Sequence, residues 1–403
     1  MHRVVITGMG AISALGHNAS ECWQGMREGR SAIAPLRGFD ESALRVRVAA
    51  QVDGFDATAH FETRRLSLLD PVSQFALVAA REAVAQSGID FSTADLAQHT
   101  ACIIGTGIGG EQTHDASSQK LYAKGDTRLH PMTIARSMAN APASQVSIEF
   151  GIKGPTFAVT SACASSNHAI AQALMLIRSG RAVAALAGGT EACITYGILR
   201  AWEAMRILAD DTCRPFCKQR RGLVLGEGSG MFVLETLEHA QARGATVLAE
   251  LAGAGMSADA GDMVAPADTG AAQAVQAALD DAGLNATDID YINAHGTATP
   301  ANDPTETRAI HKVFGNHAQR LAISSTKAVH GHALGAAGAL ELIAVLGALN
   351  EGVVPPTANF IDPDPECDLD YVPNEARPHN VRAALSNSFA FGGLNAVLAL
   401  TRI

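Results

Sequence analysis

Short apolar runs that end in small-residue turns alternate with alanine-rich helical stretches along the whole chain, and this alternation restricts the fold more than any other feature. Residues 3–7, 101–105, 157–160, 183–187, 230–235, 246–254, 290–293, 321–324 and 383–387 have strand length and read as buried strands. Helical periodicity occupies residues 69–87, 165–179, 273–282 and 334–348, while 112–145 is mixed and polar and reads as loop with short helix. Such alternation predicts an α/β protein of stacked layers with largely parallel strands. Two stretches look alike. Residues 157–160 lead through a turn into an alanine-rich helix, and residues 321–324 lead through a turn carrying Lys327 and His332 into another. The likeness predicts an internal duplication joined near residues 236–247, with halves 1–240 and 241–403.

At 47% hydrophobic and 17% charged residues, the 403-residue chain has a globular composition and length for a large core. A formal net charge of −10 argues against bulk attraction to nucleic acid or an anionic membrane. The seven cysteines are odd in number, irregularly spaced and without C-x-x-C, so neither a disulfide framework nor a zinc site is expected. Reduced thiols fit a cytoplasmic location. The first residues read as a strand, not as a signal peptide. Residues 333–349 form the most apolar stretch, but Glu341 interrupts it and it falls short of the ~20 residues of a membrane span. A buried helix is predicted there.

Cys163 stands at a strand-to-helix turn, among Ser161, Ala162, Ala164, Ser165 and Ser166. The unpaired N–H groups and dipole of a helix N-terminus favour an anion, so this position is expected to lower the thiol pKa. The small neighbours leave room for a substrate, which points to covalent catalysis. The competing reading is a small buried hydrophobe. Partners exist elsewhere. His295, in Asn293-Ala294-His295-Gly296-Thr297, and His332, five residues after Lys327, lie in glycine-flanked turns at strand ends, where α/β enzymes place their sites. His330 and His332 flank Gly331, but no third ligand has suitable spacing, so no metal is expected. Glu341, within an apolar helix, is expected to pair with Lys327 or another cation, because a lone buried carboxylate is rare. Gly105-Thr106-Gly107-Ile108-Gly109-Gly110 matches a dinucleotide-binding glycine pattern. Glu111 follows where a pyrophosphate would sit and no ribose-binding acid completes the unit, so that reading is rejected.

Four runs occur in order: Ser161-Ala162-Cys163-Ala164-Ser165-Ser166; Asn293-Ala294-His295-Gly296-Thr297-Ala298-Thr299; Ser324-Ser325-Thr326-Lys327 with Gly331-His332 and Leu334-Gly335-Ala336-Ala337-Gly338; and Ser386-Asn387-Ser388-Phe389-Ala390-Phe391-Gly392-Gly393. Together they resemble the motifs of β-ketoacyl-[acyl-carrier-protein] synthases of types I and II, over essentially the full chain. The resemblance implies the thiolase fold, five αβαβα layers from two related halves, and normally a homodimer. It implies decarboxylative Claisen condensation of a malonyl-carrier thioester with an acyl chain held on Cys163. In the same way it gives His295 and His332 as donors to the enolate, and Lys327 as the charge that orients them. The backbone N–H groups of Cys163 and Phe391 become the oxyanion hole, and Thr297 and Thr299 contacts to the pantetheine arm. Ile108, Trp202, Phe389 and Phe391 fall around the acyl pocket and its gate. Arg64, Arg65 and Arg206 fall in the docking region for an acidic acyl carrier protein. No cofactor is implied beyond the carrier's phosphopantetheine.

The chain departs from the housekeeping pattern at Ala390, Leu394, His330, Leu223 and Cys217. Several of these, with Trp202, look more like the nodulation protein E branch, which serves specialised acyl chains. Ala390 is expected to stiffen the gate if its position needs a positive φ. A non-catalytic chain-length-factor partner is the alternative, but such proteins lack the cysteine that this chain keeps.

Overall fold

The computed structural model describes residues 1–39 and 44–403. Ten strands form one sheet. The first half supplies β1 (Val4–Ser13), β2 (Thr100–Gly105), β3 (Thr156–Val159), β4 (Ala184–Glu191) and β5 (Gly228–Thr236). The second supplies β6 (Ala249–Ala258), β7 (Tyr291–Asn293), β8 (Ala322–Ser324), β9 (Ala383–Ala390) and β10 (Leu394–Thr401). Their order is β8-β7-β9-β10-β6-β1-β5-β4-β2-β3. Each half therefore repeats one topology: third, second, fourth, fifth, first. The halves meet at a narrow seam, where β1 pairs with β6 only through Val5 opposite Glu250 and Ile6 opposite Ala249.

The expectation of largely parallel strands needs correction. Pairing is parallel only in β4-β2-β3 and β9-β7-β8, and the remaining neighbours are antiparallel. The cause is local for β9 and β10, since the three residues between them allow only a hairpin. β3 was expected to be buried and is instead the edge strand, with Phe157 exposed.

Helices complete five layers. α1 (Pro71–Ser87) begins at Asp70, whose side chain caps Val72 N–H, and ends at left-handed Gly88. It covers β1 and β5 on the outer side of the first half. α2 (Glu111–Ser118) follows β2. α3 (Ser165–Arg178) follows β3, and α4 (Tyr196–Met205) follows β4. α5 (Asp268–Ala282) covers β6 and β10 on the far side, beside α6 (Asn302–Phe314). α7 (Ala337–Glu351) follows β8. α3 and α7 occupy equivalent places in the two halves and form the central layer, each touching strands of both halves of the sheet. The largest apolar cluster forms around them, including Ile170, Leu174, Ile177, Leu340, Ile343 and Leu346. This layering is the thiolase fold.

Residues 334–351 are long and apolar enough to cross a membrane, but α7 is buried within the protein from Ala337 to Leu349. The stretch read as loop with short helix, 112–145, holds most of α2, a π-turn (Gln119–Ala123), a short helix (Thr133–Ser137) and the start of another (Ala141–Phe150). Of α2 only Thr113 is buried, so it lacks the apolar stripe that would have revealed it.

Gly347 on α7 lies against Trp23, whose indole N–H donates to Glu351 at 2.6 Å. A Cβ at Gly347 would come within 2.4 Å of the indole ring. Gly347→Ala is therefore expected to destabilise the protein by about 1–3 kcal/mol, read as a lowered urea midpoint with unchanged specific activity of the folded fraction.

Candidate active site

Two small turns build the site. Cys163 lies in a 3₁₀ turn, Ala162–Ala164, between β3 and α3, and the turn Leu334–Ala336 stands in the same position before α7. Each opens on a residue with left-handed φ, Ala162 at 49° and Leu334 at 44°. The two turns touch, and Gly335 takes the place that Cys163 has in the first half. A Cβ on Gly335 would lie 2.1 Å from Gly107 N, so only glycine permits this approach.

A cavity of about 290 Å³ opens over these turns, lined by Cys163, His295, His332, Thr297, Thr299 and Phe391 among others. The two imidazoles meet edge to face, with ring centroids 5.4 Å apart. Lys327, with no exposed surface, donates to the His295 carbonyl at 2.6 Å, lies 3.4 Å from His295 Nδ1, and pairs with Glu341 on α7. The expected Lys327–Glu341 pair is thus present. Leu334 N–H donates to His332 Nδ1 at 3.2 Å. With both Nδ1 atoms occupied as acceptors, the ring proton of each histidine sits on Nε2. Burial, reinforced by the Lys327 charge, pushes both histidines well below the usual range, so they are neutral donors.

The Cys163 thiol behaves differently from expectation. Burial pushes it up to about 11, against the pull of the Lys327 charge and of the Phe391 and Cys163 N–H groups, while Glu191 pushes it further up. A helix N-terminus lowers a thiol pKa where solvent can share in stabilising the anion, and here desolvation outweighs the donors. The resting sulfur is a thiol at neutral pH.

Phe391 directly follows β9, and its N–H is directed at the cysteine sulfur. Its ring stacks on Trp202 of α4, with centroids 5.7 Å apart, and Phe389 meets His295 edge-on at 6.1 Å. Ala390 closes β9 without left-handed φ, and the positive angles fall on Gly392 and Gly393. The stiffening expected from Ala390 therefore has no basis. Thr297 and Thr299 join Oγ1 to Oγ1 at 3.0 Å on the cavity wall. Ile108 does not line the cavity but packs behind it with Cys163 and Leu334. His330 bonds Thr326 Oγ1 at 3.0 Å, away from the cavity.

Arg206, the left-handed cap of α4, stands at the mouth with Arg221. Neither Arg64 nor Arg65 reaches the cavity: Arg64 is exposed, and Arg65 forms an ion pair with Glu149, which Arg81 shares. Three buried carboxylates were missed. Glu306 accepts the N–H groups of His295 and Gly296, both at 2.8 Å. Asp303 accepts those of Phe216 at 2.7 Å and Ala298 at 3.2 Å. Glu191 grips the loop after β2. The helix start Asn302-Asp303-Pro304 was a usable signal for the first two.

Family models for the N-terminal and C-terminal domains of beta-ketoacyl synthases match residues 1–240 and 248–361. Nodulation protein E of Rhizobium sp. (strain N33) is 51% identical over 401 residues, covering 100% of this chain and 99% of that protein. The 3-oxoacyl-[acyl-carrier-protein] synthase 2 of Synechocystis sp. (strain ATCC 27184 / PCC 6803 / Kazusa) is 43% identical, with 99% and 98% covered. A solved type II polyketide ketosynthase, AntDE, in complex with its acyl-carrier protein AntF, superimposes with a TM-score of 0.89 at 29% identity, covering 100% of this chain and 99% of that one. With its doubled sheet and its cysteine facing two histidines, the chain belongs to the beta-ketoacyl synthase family.

The raised thiol pKa has a direct consequence. In the free protein, alkylation of Cys163 by iodoacetamide, followed by mass spectrometry, should climb steadily with pH from about 7 to 10 without a plateau, since thiolate is the reacting form.

Proposed function

We propose that this protein elongates acyl chains by two carbons, condensing malonyl-carrier protein with an acyl group held as a thioester on Cys163. The observation that carries this reading is one cavity where a thiol faces two imidazoles, each with its Nδ1 occupied. The Cys163 sulfur attacks the incoming thioester, and the oxyanion of that intermediate is held by the N–H groups of Cys163 and Phe391. Collapse expels the carrier thiolate, which takes the proton the cysteine gives up. Malonyl-carrier protein then enters along Thr297 and Thr299. As CO₂ leaves, its bonding pair becomes an enolate whose oxygen accepts from His295 and His332 Nε2–H. The enolate carbon attacks the acyl–Cys163 carbonyl, and collapse frees the 3-oxoacyl thioester and the Cys163 thiolate, which takes one proton from water to restore the thiol. Lys327, anchored by Glu341, orients His295 and favours negative charge in the site.

Support for an acyl carrier protein as partner comes from the synthases and the ketosynthase complex to which the chain is similar. Arg206 at the mouth suits an acidic carrier despite the overall negative charge; Arg221 beside it is shared with Asp210 at 3.9 Å, and Arg65 lies off the cavity in an ion pair with Glu149. A homodimer is supported by the unpaired edge strand β3. Phe157 on that strand, Ile148 beside it and Met175 on α3 form an exposed apolar band that a second copy would cover. The repeated strand order supports halves 1–240 and 241–403, and seven free, buried cysteines are in keeping with the cytoplasmic location we propose.

The test is direct. Purified protein, given acyl and malonyl carrier thioesters, should show acyl mass on Cys163 and release the 3-oxoacyl product. Cys163→Ala should lose the adduct and condensation entirely, and a wild-type protein that never becomes acylated refutes the reading. Arg206→Glu should raise KM for carrier-bound substrate about tenfold with kcat nearly unchanged, and an unaltered KM removes Arg206 from docking. Phe157→Arg should yield a monomer in sedimentation, and a persisting dimer would place the interface elsewhere.

A further inference from the structure

Glu191, the last residue of β4, is fully buried and has no part in the steps above. Its carboxylate gathers donors from both halves of the fold. Oε2 accepts Gly107 N–H at 2.6 Å and Gly335 N–H at 2.9 Å. Oε1 accepts the Thr106 hydroxyl at 3.2 Å and Ile108 N–H at 3.3 Å. Burial still pushes the carboxyl up to about 7. Placing such a group in the interior is costly, and loop anchoring in one half does not explain the bond that crosses to the other.

That bond falls beside the histidine. Gly335 follows Leu334, and it is Leu334 N–H that donates to His332 Nδ1. Leu334 holds a left-handed φ of 44°, a conformation that residues with side chains rarely adopt and keep only when their surroundings enforce it. Three grips enforce it: Glu191 holds Gly335 N–H, the Ser166 hydroxyl holds the Gly335 carbonyl, and Ala336 N–H closes the turn onto the Ala333 carbonyl. If the first grip is released, the turn relaxes towards ordinary φ and carries Leu334 N–H off Nδ1. The imidazole is then free to move its proton to Nδ1, which points a lone pair from Nε2 into the cavity.

We propose that Glu191 is a positioning residue that keeps His332 an Nε2–H donor, acting through the Leu334–Gly335 peptide. The inference rests on the reading of His332 as a donor to the enolate. It makes the two half-reactions respond differently to one substitution. Decarboxylation needs the Nε2–H donor. Acyl transfer needs the Cys163 sulfur, which the Glu191 charge itself disfavours as an anion.

Glu191→Met keeps the length of the side chain and removes both acceptor oxygens, so Gly335 N–H loses its partner. Malonyl-carrier decarboxylation should fall about 10–100-fold, the usual effect of losing a group that orients a site ligand. Acylation and iodoacetamide alkylation of Cys163, measured on the same preparation, should hold or rise, which also shows that the site is folded. In protein labelled with ¹⁵N at histidine, His332 should be Nε2–H in the wild type and shift towards Nδ1–H in the variant. A wild-type His332 protonated on Nδ1 overturns the proposal without any variant. So does decarboxylation that stays at the wild-type rate, or that falls in step with acylation while the tautomer is unchanged. His332→Ala separates the two layers. If it decarboxylates normally, the donor reading of His332 fails; if it is inactive while Glu191→Met is active, only the role of Glu191 fails.

Discussion

The two turns that start α3 and α7 touch one another, and the rest of the site depends on that contact. Both helix starts seat against the end of β2 and the loop after it, where side chains are almost absent. A Cβ on Gly335 would strike Gly107 N, and one on Gly105 would lie 2.4 Å from the Ser165 carbonyl carbon. Separating these turns by the width of one methyl group would move the sulfur of one half away from the imidazoles of the other. The alanine and glycine content of the central helices is thus a geometric requirement of the site as much as a packing preference.

Charge is arranged around that contact with similar economy. Lys327 is buried, and an uncompensated ammonium at that depth would unfold the region, so Glu341 on α7 and the His295 carbonyl enclose it. The pair holds a cation next to the thiol and the imidazoles while water is excluded. Glu306 and Asp303, from the first turns of α6, fix the backbone of the His295 loop rather than its side chains. Catalytic groups are therefore held mainly by main-chain contacts, which do not depend on the rotamers of neighbouring side chains.

Much of this was legible in the chain itself. Cys163, His295, Lys327 and His332 each stand in a small-residue turn after an apolar run, and such punctuation survives without knowledge of tertiary contacts. The duplication was visible as a repeated run, turn and helix, and the strand order bears it out. The misses have physical causes. α6 opens on buried Asp303, Thr305, Glu306 and Thr307, polar residues that read as a loop, and its apolar face of Ala309, Ile310 and Phe314 comes only later; α4 is amphipathic, with Ile198, Leu199 and Trp202 on one face, and was readable. The thiol pKa depends on burial among Leu199, Leu334, Ala390 and other residues remote in sequence, which no local motif encodes. The edge position of β3 is set by sheet order, and an exposed Phe157 reads in sequence like any core residue.

Gly335 makes the two matching elbows unequal. The first carries a sulfur at its middle position, and the second carries no side chain and serves as the floor beside it. Any side chain at that second elbow would run into the Thr106–Gly107 backbone of the other half, so each chain has room for one nucleophile.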